Sequence, residues 1–150
     1  MPTQVDLDAL AHVPLFRNLS PRDLAAIVQT AKLRSLPRRA LLLRQGTPAR
    51  AFYLLMRGQL KVGQQTPDGH EAAARLLAPG EMVGGPALFG NATYPVTATA
   101  IEPSVVLCWT APAISTLVDR YPPLARNFML ALANRFVELQ DCLRELTTES

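Results

Sequence analysis

The sequence predicts a mainly β domain with helices at both ends, folded as a sandwich or a barrel. Thirteen prolines are spread along 150 residues, and a proline about every ten residues disfavours long helices and suits short strands joined by turns. Short apolar runs alternate with glycine-containing turns through the middle of the chain, whereas the two ends have helical patterns. The predicted strands are residues 33–36, 40–44, 51–56, 59–63, 71–77, 96–101 and 104–109.

Residues 1–30 are predicted to form a helical segment. Ser20-Pro21-Arg22-Asp23 has the features of a helix start, with serine as the N-cap, proline at the first helical position and an acid near the positive end of the helix dipole. Apolar residues at helical spacing then form one face: Leu24, Ile27, Val28 and Ala31.

Residues 31–110 form the predicted β region, and residues 111–150 are predicted to form a short helix and a long one. The short helix spans 112–120, and the long helix begins at Pro122-Pro123 and contains no further Pro or Gly through Leu146. Its apolar residues are spaced 4, 3, 4, 3, which is a heptad seam: Leu132, Phe136, Leu139, Leu143 and Leu146. This pattern favours a homodimer through the helix; the alternative is a helix packed on its own β region.

Composition indicates a globular domain, because 49% of the residues are hydrophobic and only 18% are charged. The net charge of +3 comes without a dense basic run, so this chain alone is expected to bind nucleic acid poorly. Cys108 and Cys142 have no metal-ligand spacing and fit a reducing, cytoplasmic location. Residues 82–101 carry no charge, but their glycines and prolines argue against a membrane helix.

No enzyme motif is present, and the sequence therefore predicts a protein that is not an enzyme. His70 follows the Pro67-Asp68-Gly69 turn and is expected to be solvated, as are Glu81 and Glu102. His12 is interpreted as a structural or surface residue, with a metal or haem ligand as the alternative. Cys108 is expected to be a small buried hydrophobic residue in its strand.

Several motifs together resemble the sensor half of Crp/Fnr-type transcription regulators, a cyclic-nucleotide-binding-like domain. Leu15-Phe16 and Leu19-Ser20-Pro21 resemble the family's opening, residues 42–46 and 51–62 resemble two of its strands, and residues 66–69 and 78–81 resemble its turns. Five glycines fall in register with the family: Gly46, Gly58, Gly69, Gly80 and Gly84. Residues 66–71 and 94–104 are most similar to the dissimilatory-nitrate-respiration branch, which is associated with haem and nitric oxide.

The resemblance implies a jelly-roll barrel, also called a double-stranded β-helix, followed by a long C-terminal dimerisation helix. Residues 1–30 would be the N-terminal helical segment, 31–110 the effector barrel, and 111–150 the short helix and the dimerisation helix. It also implies a helix-turn-helix DNA-binding domain after residue 150, absent from this chain. The chain is accordingly expected to be a truncated protein or a stand-alone sensor module.

The same resemblance locates the family's phosphate-binding cassette, where a glutamate takes the ribose hydroxyl and an arginine pairs with the cyclic phosphate. The opening of the cassette is Gly84-Gly85-Pro86-Ala87-Leu88, with Gly85 in the place of the glutamate. At its closing end, Ala92 stands in the place of the arginine and Thr93 keeps the hydroxyl. On the long helix, the positions that reach the base correspond to Leu139 and Gln140.

These substitutions predict that cyclic AMP and cyclic GMP do not bind with useful affinity. Independently of the family, residues 76–119 contain no Lys, Arg or His, so that a phosphate held there would have no counter-charge. The predicted function is effector sensing and dimerisation in a bacterial regulator, with a small neutral or apolar effector or haem, and with His12 as the candidate haem ligand. The alternative is a non-sensory dimerisation or protein-interaction module.

Overall fold

The computed structural model describes residues 6–89 and 92–148, and it contains two four-stranded antiparallel sheets that face each other. Sheet A has the strand order β1-β8-β3-β6 and sheet B has the order β2-β7-β4-β5. This arrangement confirms the predicted mainly β class with flanking helices. The strands are β1 (Lys32–Leu36), β2 (Leu41–Leu43), β3 (Ala51–Arg57), β4 (Leu60–Gln65), β5 (Glu71–Leu77), β6 (Met82–Val83), β7 (Thr97–Ala100) and β8 (Ser104–Thr110).

Strand β6 is the one strand of the described residues that the sequence did not predict. It has two residues, which is too few to show the alternating pattern that identifies a strand. Strand β6 is defined by its pairing with β3, in which Val83 lies opposite Tyr53. The short strand then leads directly into the predicted cassette.

The N-terminal segment forms α1 (Leu7–Leu10), a 3₁₀ helix (Pro14–Phe16) and α2 (Pro21–Gln29). The predicted start of α2 is confirmed, because Ser20 Oγ accepts a hydrogen bond of 3.1 Å from the Asp23 amide. Residues 1–5 of this segment, and residues 149–150 at the other end of the chain, lie outside the described residues.

At the other end, α3 (Ala111–Arg120) is followed by α4 (Pro122–Thr148). Leu124 and Phe128, in the first two turns of α4, are buried against the rest of the domain. From Met129 onward the large apolar side chains of α4 are exposed. None of the described helices is both long enough and apolar enough to cross a membrane.

Sheet A separates two hydrophobic clusters, because successive side chains of a strand point to opposite faces. On the helix side, Phe52 and Trp109 pack at 6.0 Å between ring centroids, and the Trp109 indole donates a hydrogen bond of 3.1 Å to the carbonyl of Ile27. On the barrel side, Tyr53, Leu55 and Val106 pack with side chains of sheet B. The helices and the barrel therefore share one sheet as a common wall.

Asn127 joins α4 to the N-terminal segment. Its buried side chain donates hydrogen bonds to the carbonyl oxygens of Leu15, at 2.8 Å, and Arg17, at 2.7 Å. Leu15 lies within the 3₁₀ helix, and Arg17 is the residue that follows it. The start of α4 is thus held by polar contacts as well as by packing.

We predict that Asn127→Ala lowers the free energy of unfolding by about 2 kcal/mol, because two carbonyl oxygens lose their partner in a covered position. Urea denaturation monitored by Trp109 fluorescence measures the change. Asn134→Ala, on the exposed part of the same helix, is the matched control and should shift stability by less than about 0.5 kcal/mol. Equal effects of the two substitutions would contradict the role of Asn127.

Candidate effector site

The opening of the predicted cassette is a tight turn that leads from β6 into a 3₁₀ helix, Gly85–Phe89. Gly84 has φ +93°, and a Cβ at this position would lie 2.8 Å from the carbonyl oxygen of Ala51, so only glycine fits here. The amide of Ala87 donates a hydrogen bond of 3.0 Å to the carbonyl of Gly84 and closes the turn. The structure therefore places Gly84, Gly85, Pro86, Ala87 and Leu88 together in one short segment.

The α4 helix covers this segment through Phe128. A Cβ on Gly85 would lie 2.9 Å from Cζ of Phe128, which is closer than such contacts occur. Ala87 is 1% exposed and packs in the same cluster as Phe128. An aromatic ring thus occupies the space into which a longer side chain at position 85 would extend.

The closing part of the cassette is fixed by backbone pairing to residues 46–49. The amide of Ala49 donates to the carbonyl of Ala92, at 2.9 Å, and Thr93 is bridged to Pro48. Thr93 is exposed and Ala92 is only partly covered. Neither residue directs a charged group into the barrel.

Tyr94 is the residue of this region that the sequence analysis missed. It is 6% exposed, and its hydroxyl donates to the carbonyl of Ala51, at 2.6 Å, and accepts from the amide of the same residue, at 3.0 Å. The ring therefore lies inside the barrel, at the residue whose carbonyl also borders Gly84. The signal available in the sequence was an aromatic residue two positions after Ala92.

Tyr53 and Cys108 form a polar pair on the barrel face of sheet A, where they are opposite one another in register. The Tyr53 ring borders the cassette, with Cδ2 3.5 Å from where a Cβ on Gly84 would be. Burial, followed by the neighbouring Cys108, raises the pKa of Tyr53 to about 12. Burial also raises the pKa of the Cys108 thiol. Cys108 is half-buried and packs against the barrel cluster, so the expectation of a buried hydrophobic residue is confirmed in part.

Glu81 was expected to be a solvated acid, and its side chain is 39% exposed, but it is paired within the fold. Its carboxylate accepts hydrogen bonds of 3.0 Å from both terminal nitrogens of Arg75, and its second oxygen accepts from the amide of Ala78, at 2.7 Å. This pair uses the cation that comes directly before residues 76–119, which contain no Lys, Arg or His. His70 and Glu102, by contrast, are exposed as expected, and His70 lies 3.1 Å from Asp68.

Leu139 and Gln140, the predicted base-contacting positions, are exposed on α4 and are not brought to the cassette of the same chain. Eleven residues separate Phe128 from Leu139, which is about 16 Å along a helix. Phe128 is therefore the α4 side chain that meets the cassette within one chain. Leu139 and Gln140 are placed where they can face a second molecule.

The predicted seam is exposed along its whole length in the single chain. Leu132, Phe136, Leu139, Leu143 and Leu146 are 46% to 67% exposed. Met129, at 63% exposed and three residues before Leu132, extends the same spacing by one step toward the barrel. The prediction that these side chains lie beyond the barrel of their own chain is confirmed.

His12 lies exposed in the turn after α1. A haem group needs an apolar crevice that covers the porphyrin, and an exposed imidazole does not provide one, so the geometry at His12 does not fit an axial ligand. Within residues 6–89 and 92–148, no cluster of three or more His, Cys, Asp or Glu side chains is placed to hold a metal ion. Haem binding stays a prediction of the sequence.

We predict that Gly85→Ala destabilises the domain by about 1–3 kcal/mol, because the added methyl group overlaps the Phe128 ring. Phe128→Leu has its own cost, so the informative quantity is the coupling energy from urea denaturation of both single variants and the double variant. The methyl group should cost clearly less in the Phe128→Leu background. The same cost in both backgrounds would mean that Phe128 does not define the space at position 85.

We predict that stability falls as pH rises from about 10 to about 12, because burial holds Tyr53 neutral in the fold while the unfolded phenol ionises near its ordinary pKa of 10. This contribution is complete below pH 10 and is lost as the pH approaches the folded pKa. Tyr53→Phe should reduce the slope of the unfolding free energy over this range. An unchanged slope would contradict the assignment to Tyr53.

Comparison with known proteins places the fold and the cassette in a family. Residues 33–121 match the family model "cyclic nucleotide-binding domain". The chain is 23% identical over 139 residues to the CRP-like cAMP-activated global transcriptional regulator of Mycobacterium tuberculosis, an alignment covering 93% of this chain and 62% of that protein. The chain spans about three fifths of the length of this regulator and of the cyclic AMP receptor protein of Thermus thermophilus.

Solved structures give the same result. The Thermus thermophilus catabolite activator protein superposes with a TM-score of 0.81 at 28% identity, over 89% of this chain and 63% of that chain. The sensor domain of the transcriptional regulator DNR from Pseudomonas aeruginosa superposes with a TM-score of 0.73 at 29% identity, over 89% of this chain and 90% of that chain. The expected jelly-roll fold is confirmed, and the chain belongs to the cyclic nucleotide-binding domain family, with the sensor-domain fold of Crp/Fnr-type regulators.

Proposed function

We propose that this chain is the effector-sensing and dimerising domain of a bacterial, cytoplasmic Crp/Fnr-type transcription regulator, and that its effector is not a cyclic nucleotide. The relatives described as a cAMP-activated regulator and as a regulator's sensor domain support the first part. The observation that carries the second part is the cassette itself, in which Gly85 is packed under Phe128, the Tyr53 ring borders Gly84, and the buried Tyr94 is hydrogen-bonded to Ala51.

Electrostatics support the same conclusion. A cyclic phosphate carries one negative charge, and residues 76–119 contain no cationic side chain to balance it. Arg75, directly before this stretch, is bound by Glu81. A phosphate taken out of water without a counter-charge costs several kcal/mol, which removes most of the affinity that ring and ribose contacts can supply.

The phenols and the thiol inside the barrel suit a neutral effector. Both hydroxyls are uncharged at neutral pH, because the ordinary pKa of a tyrosine phenol is about 10 and burial raises it further in Tyr53 and Tyr94. The rest of the barrel lining consists of aliphatic side chains such as Leu55, Leu60 and Val62. Such a surface favours an apolar molecule that carries a hydrogen-bonding group.

Dimerisation follows from the seam on α4. Six large apolar side chains at heptad spacing are exposed in the single chain, and an a/d pattern of this kind pairs with a second helix. A second copy of the chain supplies an identical seam and buries both. We therefore assign the partner as another copy of this chain.

The contact between Phe128 and Gly85 offers a route from the barrel to α4. An effector that displaces the cassette would move the segment on which Phe128 rests, and with it the angle of α4. In the longer regulators α4 would lead to a DNA-binding domain, so a change in its angle would change the spacing of two DNA readers. DNA binding would be the role of that domain.

The second candidate function is a non-sensory dimerisation or protein-interaction module. The filled cassette favours it, because Tyr94 and Phe128 already satisfy the contacts of this region. Native mass spectrometry of the protein purified from its own host separates the two functions. A retained small molecule supports sensing, whereas a bare dimer supports the interaction module.

We predict that isothermal titration calorimetry detects no binding of cyclic AMP or cyclic GMP at ligand concentrations up to about 1 mM, which corresponds to less than about 4 kcal/mol of binding free energy. A cyclic AMP receptor protein titrated in the same buffer serves as the positive control. Micromolar binding of either nucleotide would overturn the proposed effector class.

We predict that Leu139→Glu converts the dimer into a folded monomer. A carboxylate in the middle of the seam would lose its water on pairing and would face its own copy across the two-fold axis. Sedimentation velocity at tens of micromolar protein measures the change, and circular dichroism checks the fold. The matched control is Asn134→Glu, which places the same charge on the face of α4 away from the seam and should remain dimeric.

Two outcomes would contradict this assignment. A wild-type protein that sediments as a monomer at this concentration would refute the dimer. A Leu139→Glu protein that remains dimeric would exclude the seam as the interface and would place the contact on the barrel.

A further inference from the structure

A groove of about 470 Å³ lies between the start of α2 and the elbow where α3 ends and α4 begins. Arg22, Asp23 and Ala26 of α2 form one wall, and Arg120 with Tyr121 and the following prolines forms the other. None of these residues belongs to the cassette, the barrel or the seam. The groove is therefore a feature that the proposed function does not use.

Two arginines from distant parts of the sequence, Arg22 and Arg120, line this groove. Among the described residues, neither Arg22 nor Arg120 has a carboxylate within 4.0 Å, although the same criterion finds partners for Arg75, Arg135 and Arg144. The guanidinium of Arg120 lies 5.8 Å from the centre of the Tyr121 ring, which restricts its orientation. The groove lining thus carries two arginines and one carboxylate, and its net charge is positive.

We propose that this groove binds a soluble phosphate monoester. Guanidinium groups bind phosphate oxygens through paired, charge-assisted hydrogen bonds. The Tyr121 ring and the two prolines offer an apolar surface for the organic part of such a molecule, and the volume is in the range of small-molecule sites. Binding at this groove requires neither the cassette nor dimerisation.

The negative charge of Asp23 predicts the direction in which a substitution there changes the binding affinity. Asp23 is the acidic side chain in the groove lining, and its charge opposes an anion bound between the two arginines. Asp23→Asn should therefore tighten binding of a phosphate monoester, by about twofold or more. A groove built for a cationic or zwitterionic ligand would respond in the opposite direction.

The test uses the whole chain and titrates phenyl phosphate, inorganic phosphate and benzyl alcohol at constant ionic strength, monitored by amide chemical shifts of residues 20–26 and 119–125. Phenyl phosphate should give saturable shifts and bind more tightly than inorganic phosphate, and benzyl alcohol should give none. Arg22→Ala and Arg120→Ala should each weaken phenyl phosphate binding about tenfold. Arg126→Ala, an exposed arginine of α4 outside the groove, should leave it unchanged.

Three results would overturn the proposal: no saturable shift with phenyl phosphate, equal effects of Arg126→Ala and Arg120→Ala, or weaker binding in Asp23→Asn. A lipid source is distinguished by flotation with vesicles that contain phosphatidic acid. Vesicle binding that depends on Arg22 and Arg120, together with no binding of phenyl phosphate, would replace the soluble ligand with a membrane surface and so refute the proposal as stated. The Leu139→Glu and cyclic-nucleotide experiments do not bear on these outcomes.

Discussion

The contact of Phe128 with Gly85 and Phe52 is the constraint on which the arrangement of the domain depends. The Phe128 ring packs against Phe52 of sheet A, with 5.9 Å between centroids, and leaves room for no side chain at position 85. Before this residue α4 is buried and tied to the N-terminal segment by Asn127; after it the helix is exposed. The side chain of Phe128, in the second turn of α4, thus contacts both Gly85 of the cassette and Phe52 of sheet A.

The local elements of the fold could be predicted from sequence because their signals are local. The Ser20 cap, the proline at the start of α2 and the apolar face that follows it lie within a dozen residues, and the structure contains them as expected. The seven strands other than β6 could also be predicted, because their short apolar runs lie between turn residues. Strand β6 did not, because a two-residue strand exists only through its pairing with β3.

The chemistry of the cassette was less accessible to sequence reasoning. The absence of a glutamate and an arginine is visible in the residues themselves, but what replaces them is not. Tyr94 meets Ala51 across 43 positions of sequence, and Gly85 meets Phe128 across the same separation. The ion pair of Glu81 with Arg75 was missed for a related reason. Arg75 lies on β5, and the face of the sheet on which its side chain lies is set by the pairing of β5 with β4.

The contacts that surround the predicted cassette are mutually consistent, and this consistency supports our proposal that the effector is not a cyclic nucleotide. A family site that had merely lost its glutamate would leave a void, and voids in a packed interior cost stability. Here Phe128 covers Gly85, the Tyr94 hydroxyl uses both the amide and the carbonyl of Ala51, and Glu81 neutralises the nearest arginine. Among the described residues no buried side-chain polar atom lacks a hydrogen-bond partner. The contacts of the described residues around the predicted cassette are therefore apolar or internally paired, and Phe128 of α4 is in direct contact with the segment that the proposed effector would have to move.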